Sequence, residues 1–134
     1  MSIKNIPYII KMFHDYESSG KHMICDFKGI ENAELLNDIT ELKCLMREIC
    51  KINDFNILNE IDHPFVPIGC SILFLLSESH ISIHTFPEKK HISFDIYTCR
   101  QYNDNAVYNK IYDFLLNRLK ASLESKCRIV DRYF

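Results

Sequence analysis

Between Leu76 and Thr98 the chain alternates apolar and polar residues twice, over a span that leaves room for little except a pair of strands. Ile81 and Ile83 alternate with Ser82 and His84, and Ile92, Phe94 and Ile96 alternate with Ser93, Asp95 and Tyr97. A period of two turns one face toward a core and leaves the other polar. The link between the runs, Pro87-Glu88-Lys89-Lys90, is of hairpin length, so strands over 81–86 and 91–98 are predicted to pair antiparallel. Just upstream, the apolar run 72–76 enters a polar knot, Ser77-Glu78-Ser79-His80. Two hydroxyls, a carboxylate and two imidazoles (His80 and His84) are thereby expected at one strand junction, held to a fixed geometry. A hydroxyl, a base and an acid on rigid elements are the raw material of nucleophilic chemistry.

The remaining elements come from periodicity. Asn32 is expected to cap a helix over 33–51, in which Leu35, Ile39, Leu42, Leu45, Met46 and Ile49 form one stripe for packing against a sheet. A second amphipathic helix is expected over 105–125, carried by Val107, Ile111, Phe114, Leu115 and Leu119. Further strands are predicted over 22–27, 55–61, 71–76 and 128–133, with 71–76 central because it is largely apolar. A short helix is expected after Pro7, ended by Ser18-Ser19-Gly20, and Pro64, Pro67 and Gly69 make 63–69 a stiff loop. This order gives an α+β fold: a two-layer sandwich of a mainly antiparallel sheet with two long helices on one face. The bare face of the sheet needs cover, and a second copy is the economical cover, so the sheets are expected to pack in a dimer.

The length of 134 residues fits a single domain, 1–134, with a core of useful size. A net charge of −2 points to neither nucleic acid nor an anionic membrane surface. No apolar run reaches membrane-spanning length, and the first residues lack the pattern of a secretion signal. The six cysteines are scattered without a C-x-x-C pair, so no metal site is expected and reduced thiols in a cytoplasm are.

Singly, Ser79, His84, Glu78, Ser71, Glu88 and Cys99 are ordinary residues of strand ends and turns. Together, Ser77-Glu78-Ser79-His80-x-x-Ile83-His84-Thr85-x-Pro87-Glu88 followed by Asp95-x-x-Thr98-Cys99 resembles the prokaryotic-type S-adenosylmethionine decarboxylases. The resemblance extends upstream through Phe65-x-Pro67-x-Gly69-x-Ser71 and more weakly to the strand around His22, covering roughly 21–133 and leaving 1–20 as an N-terminal extension. It implies a pyruvoyl lyase of spermidine biosynthesis, made as a zymogen that cuts itself between Glu78 and Ser79. The implied products are a β chain, 1–78, and an α chain, 79–134, whose pyruvoyl cofactor derives from Ser79 and decarboxylates S-adenosylmethionine through a Schiff base. By the family pattern His84 takes the Ser79 α-proton, Ser71 hydrogen-bonds the tetrahedral intermediate and Cys99 returns a proton to the product carbanion. Phe65 and Phe86 are implied to hold the adenine and Glu88 the ribose. A homodimer of processed αβ units is implied, with the active site at its interface, so that Phe65 and Ser71 serve a neighbouring protomer.

The sequence departs from the family at Arg100, where glycine is usual, at Phe86, where Trp or Tyr is common, and at Lys89-Lys90-His91. Cationic groups near the pocket would repel a sulfonium, and equally ornithine or arginine, the substrates of related pyruvoyl decarboxylases. Those two substrates, or a role as an unprocessed regulatory paralogue, are the alternatives to S-adenosylmethionine decarboxylation.

Overall fold

A computed structural model of the chain describes residues 17–134, and the helix expected after Pro7 lies outside the described residues. In chain order the elements are β1 (Ser18–Phe27), α1 (Ile39–Ile52), β2 (Ile57–Pro64), β3 (Cys70–Leu76), β4 (Ser79–Phe86), β5 (His91–Thr98), α2 (Ala106–Arg118) and β6 (Lys126–Tyr133). The strands form one six-stranded sheet in the order β2-β3-β4-β5-β1-β6, with every neighbouring pair antiparallel. Strands β2 to β5 follow one another as a meander, whereas β1 slots between β5 and β6. Helix α1 therefore carries the chain from β1 to the far edge, and α2 carries it from β5 past β1.

Both helices cover the same face, as the alternation requires. Ile72, Phe74, Ile81, Ile83 and Ile96 of the sheet are fully buried, in one core with Leu42 and Met46 of α1 and Tyr108 and Leu115 of α2. Burying each such side chain contributes about 1.5–3 kcal/mol. The helices are tied to each other by Arg118 Nη1, 3.0 Å from the Glu48 carboxylate. The opposite face of the sheet is bare and partly apolar: Ile24, Ile61, Leu73 and Leu75 are between 40% and 64% exposed. This explains the apolar run in β3, which is interior but second from the edge. Ile72, Phe74 and Leu76 meet the helices, and Leu73 and Leu75 lie on the open face.

Several boundaries differ from expectation. Helix α1 starts at Ile39 and not at Ala33, because Asp38 leaves the helical region and its Oδ1 accepts a 3.0 Å hydrogen bond from Glu41 N. Asn32 caps neither helix: it precedes a short 3-10 turn, Leu35–Asn37, whose N-cap is Glu34, and its Oδ1 accepts a 3.2 Å hydrogen bond from Leu35 N. Helix α2 stops at Arg118, where Lys120 turns left-handed and Ala121 N bonds back to Leu116 O at 3.1 Å. Strand β2 begins later than expected and runs on through His63-Pro64, which pair with Ser71 and Cys70.

Strand β1 does not stop at Ser18-Ser19-Gly20 but runs through it with a bulge between Ser18 and Gly20. Glycine is required there: Gly20 has φ +112°, and a Cβ would lie 1.9 Å from Thr98 O and 2.7 Å from Cys99 Cα. Gly20→Ala is expected to lower unfolding stability by about 2 kcal/mol or more, from strain added to overlap. Chemical denaturation would read this as a lower midpoint, and an unchanged midpoint would show that β1 can retreat from β5 without cost.

Candidate active site

The sequence-predicted site residues fall into two groups at opposite ends of β4. The first group sits at its start. Ser77 and Glu78 form a tight turn between β3 and β4, and Glu78 is left-handed, with φ +58°. For a residue with a Cβ that conformation costs roughly 1–2 kcal/mol, so the peptide bond entering Ser79 is held in a strained turn. Asn56 fixes the turn from outside, its Nδ2 donating to Ser77 Oγ at 2.9 Å and its carbonyl accepting from Ser77 N at 3.0 Å. Ser79 is buried and in register with Leu76 and Thr98, themselves buried. Thr98 Oγ1 and Tyr108 OH lie 2.7 Å apart beneath it, a buried hydroxyl pair for which the alternation gave no signal.

Cys99 comes directly after β5, and its Sγ donates to Glu78 Oε2 at 3.0 Å. The hydrogen bond to that carboxylate, and then partial burial, push the thiol above its ordinary range. A carboxylate and a thiol held above its ordinary range thus meet at the residue that precedes Ser79.

The second group lies at the other end of β4, on the open face. Ser71 and His84 are cross-strand partners, with Oγ and Nδ1 at 2.7 Å. Phe65, just beyond β2, packs edge-on to His63 with ring centroids 4.9 Å apart, and Phe86 ends β4 against His91 at 5.9 Å. Both phenylalanine rings are largely in solvent, 51% and 40% exposed, as is Glu88 in the following turn. His84 also borders an open depression of about 360 Å³ shared with His22, Asp26, Ser82 and Asp95.

Within one chain, then, the expected cluster at a single strand junction does not form. Ser79 and His84 are five residues apart on one strand, a separation of about 16 Å at about 3.3 Å per residue. Five is odd, so they also take opposite faces. The parity of the spacing already contained this result.

The departures from the family pattern also find their places. Arg100 turns away from the site: Nη1 donates to Asn53 O at 2.7 Å, Nη2 donates to Asp54 O, and the guanidinium lies 4.7 Å from the Phe55 ring centroid. It satisfies carbonyls at the C-terminal end of α1, where a cation is favoured. Lys90 pairs with Glu31 at 2.8 Å. The repulsion expected from Arg100 and Lys90 is directed elsewhere.

A third group was not assigned a role by sequence. His22, His80 and Asp95, on three adjacent strands of the open face, converge: His22 Nε2 is 2.6 Å and His80 Nε2 3.2 Å from Asp95 Oδ2, while Ser82 Oγ donates to Oδ1. Burial acts to raise the Asp95 carboxyl, but bonds from Ser82, His22 and His80 outweigh it and hold it below the usual aspartate range. The signal for this group was parity again: His80 and Ser82 share a face, as do Asp95 and Tyr97 opposite them.

Comparison with known proteins agrees with this fold. The family described as S-adenosylmethionine decarboxylase matches residues 21–132. A Brevibacillus brevis protein named S-adenosylmethionine decarboxylase proenzyme is 37% identical over 106 residues, covering 79% of this chain and 77% of its own. A Bacillus cereus protein named S-adenosylmethionine decarboxylase proenzyme 2 is 40% identical over 85 residues, or 63% of this chain and 68% of its own. The crystal structure of the adenosylmethionine decarboxylase from Aquifex aeolicus shares the fold, with a TM-score of 0.75 at 24% identity over 88% of this chain and 93% of that one. The chain belongs to the S-adenosylmethionine decarboxylase family.

Proposed function

We propose that this chain is a self-cutting S-adenosylmethionine decarboxylase whose active site is completed by a second copy. The observation that carries the second half of this reading is the distance along β4 between the residue to be cut and the imidazole that must serve it. A base about 16 Å away along the same strand cannot take a proton from Ser79 in the same chain. The bare apolar face offers the remedy. When two sheets stack across a twofold axis that lies between them and across the strands, the Ser79 end of one copy meets the His84 end of the other. The contact is isologous and makes two equivalent sites. Ile24, Ile61, Leu73 and Leu75 supply the apolar surface such a stack needs.

The cut uses the chain's own groups. Ser79 Oγ attacks the Glu78 carbonyl carbon and its amide becomes an ester, with proximity standing in for an outside nucleophile. The incoming Ser71 hydroxyl hydrogen-bonds the tetrahedral oxyanion. His84 then takes the Ser79 α-proton, the Ser79 Cβ–Oγ bond breaks as the main-chain carboxylate of Glu78 leaves, and the dehydroalanine takes up water and releases ammonia. This leaves 1–78 and an α chain, 79–134, that begins with a pyruvoyl group. That group supplies an electrophilic carbonyl that accepts the substrate amine and then the electrons freed as carbon dioxide departs. Residues at the start of β4 fit it: the bond is in a strained rim turn, and Cys99 Sγ beside it carries the proton the product carbon needs. Two solvent-facing phenylalanines and Glu88 at the His84 end suit a nucleoside, with flat rings for the base and a carboxylate for ribose hydroxyls. A basic amino acid would leave those rings without a partner. Among the described residues no helix is long and apolar enough to cross a membrane.

Two experiments test the reading. Ser79→Ala and His84→Ala chains, each pure, are expected to stay uncut by intact mass. When the two are co-expressed with distinct tags, the His84→Ala chain is expected to be cut and its partner to remain whole, because one composite site is then intact. A His84→Ala chain that cuts alone at the normal rate would remove both the base and the shared site. The cut enzyme is expected to release carbon dioxide from S-adenosylmethionine in preference to ornithine or arginine, and Cys99→Ala to cut yet lose about 10²-fold or more in kcat. In the uncut Ser79→Ala background, Glu78→Gln is expected to speed alkylation of Cys99 at pH 8 severalfold, because removing the carboxylate lowers the thiol pKa. An unchanged alkylation rate would mean that Glu78 does not hold the proton on Cys99.

A further inference from the structure

We propose that His22, His80 and Asp95 form a binding site for a first-row divalent transition cation, one that ties the two cut chains together at the start of β4. The three donors come from β1, β4 and β5, which are neighbours in the sheet, and all lie on its open face. His22 and His80 flank Tyr97 in register, while Asp95 sits two residues back on the same strand as Tyr97. Both imidazoles lean toward Asp95, so two nitrogens aim at one carboxylate oxygen, and all three donor atoms lie within 4.8 Å of one another. Around a tetrahedral cation with bonds of about 2.0–2.1 Å, donors sit about 3.3 Å apart. The His80–Asp95 distance of 3.2 Å already matches, and the His22–Asp95 distance of 2.6 Å needs only a small opening.

The outer groups are those that a metal site uses. Ser82 Oγ donates to the other Asp95 oxygen and so sets the carboxylate plane. Tyr97 packs against both imidazoles, with centroids at 6.2 and 6.1 Å, and is itself fixed by a 2.5 Å bond from its hydroxyl to Ser19 O. Two imidazoles and a carboxylate, with side chains 21%, 44% and 24% exposed, leave positions for water or a further ligand. The cation Lys21 is engaged by Asn105 and Asp131, and Arg132 is held over the Tyr97 ring, 5.6 Å from its centroid.

The role of the bridge rests on the proposed cut, although the site itself does not. After cleavage at Glu78–Ser79, His22 belongs to 1–78, whereas His80 and Asp95 belong to 79–134. His80 is then the second residue of the new chain, so its bond to the cation would pin the freshly made end to the sheet. The cysteines play no part in this site, and the ligands are spread over three strands, which is why closely spaced sequence pairs do not announce it.

Binding is measured on the uncut Ser79→Ala chain, so that failure of self-cutting cannot be mistaken for failure of the site. Titration with zinc(II) is expected to give one site per chain, and cobalt(II) to show the visible d–d bands of a four- or five-coordinate N/O site without sulfur charge transfer. His22→Gln and Asp95→Asn are expected to abolish binding, and Ser82→Ala to weaken it about tenfold, with circular dichroism showing each variant folded. In the cut wild-type enzyme, zinc(II) is expected to raise the temperature at which 1–78 and 79–134 separate. No binding, binding unchanged in His22→Gln, or binding lost on replacing Cys44 or Cys99 with serine would overturn the site. The last result would make it a thiol site only.

Discussion

Hydrogen bonding of β4 to β3 on one side and to β5 on the other fixes which face each β4 side chain takes, and the chemistry of the molecule depends on that assignment. Ser79, Ile81, Ile83 and Thr85 turn toward the helices, whereas His80, Ser82 and His84 turn toward the open face. A slip of one residue would exchange the two sets, exposing a core and burying three polar groups without partners. The apolar set therefore pins the register, and the register places the imidazoles. The same lock keeps Ser79 and His84 at opposite ends of one strand, a separation that no rotamer change closes.

Labour is thereby divided by position along the strand. The β4 start combines a strained turn, a thiol and a hydroxyl with a carboxylate, but offers no imidazole on its own face. The β4 end combines an imidazole, a hydroxyl and exposed aromatic rings, but has no bond to break. Each half is coherent chemically and insufficient alone. The open face between the halves is apolar at its β3 side and polar at its β5 side. A stacked partner would thus meet hydrocarbon over Leu73 and Leu75, and hydrogen-bonding groups over His22 and Asp95.

The local alternation of β4 and β5 made their strands, their pairing and their buried faces legible in the sequence, because period two is a property of a few consecutive residues. The same holds for Leu42, Met46 and Ile49, whose stripe does not depend on where the helix begins. Asp38 is hidden as a cap because Leu35 and Leu36 continue the apolar period into the turn before it, and a cap competes with periodicity without disturbing it. Gly20 reads as a break, yet it is a close approach of β1 to Thr98, which only the pairing of distant strands reveals. The resemblance found the residues of the site and not their arrangement. His22 and Asp95 stand 73 positions apart, so their contact is visible only once β1 is known to lie beside β5. Arg100 looks in the sequence like a charge aimed at the pocket, because sequence distance from Cys99 says nothing of the direction in which a long side chain leaves the backbone.

In the proposed mechanism, cutting and turnover place different demands on the turn that holds Glu78. Before the cut its carboxylate holds a proton on Cys99, and the left-handed backbone stores strain beside the bond to be broken. Breaking that bond releases the strain and creates a second carboxylate at the new chain end. If the end stays near Cys99, two negative charges would act on the thiol and keep it protonated more firmly still. That suits an acid that must deliver a proton, and it serves a further purpose. A thiolate beside an electrophilic carbonyl would add to it and block the site, whereas a thiol adds far less readily. On that proposal the Glu78 carboxylate protects the pyruvoyl group that the cut creates.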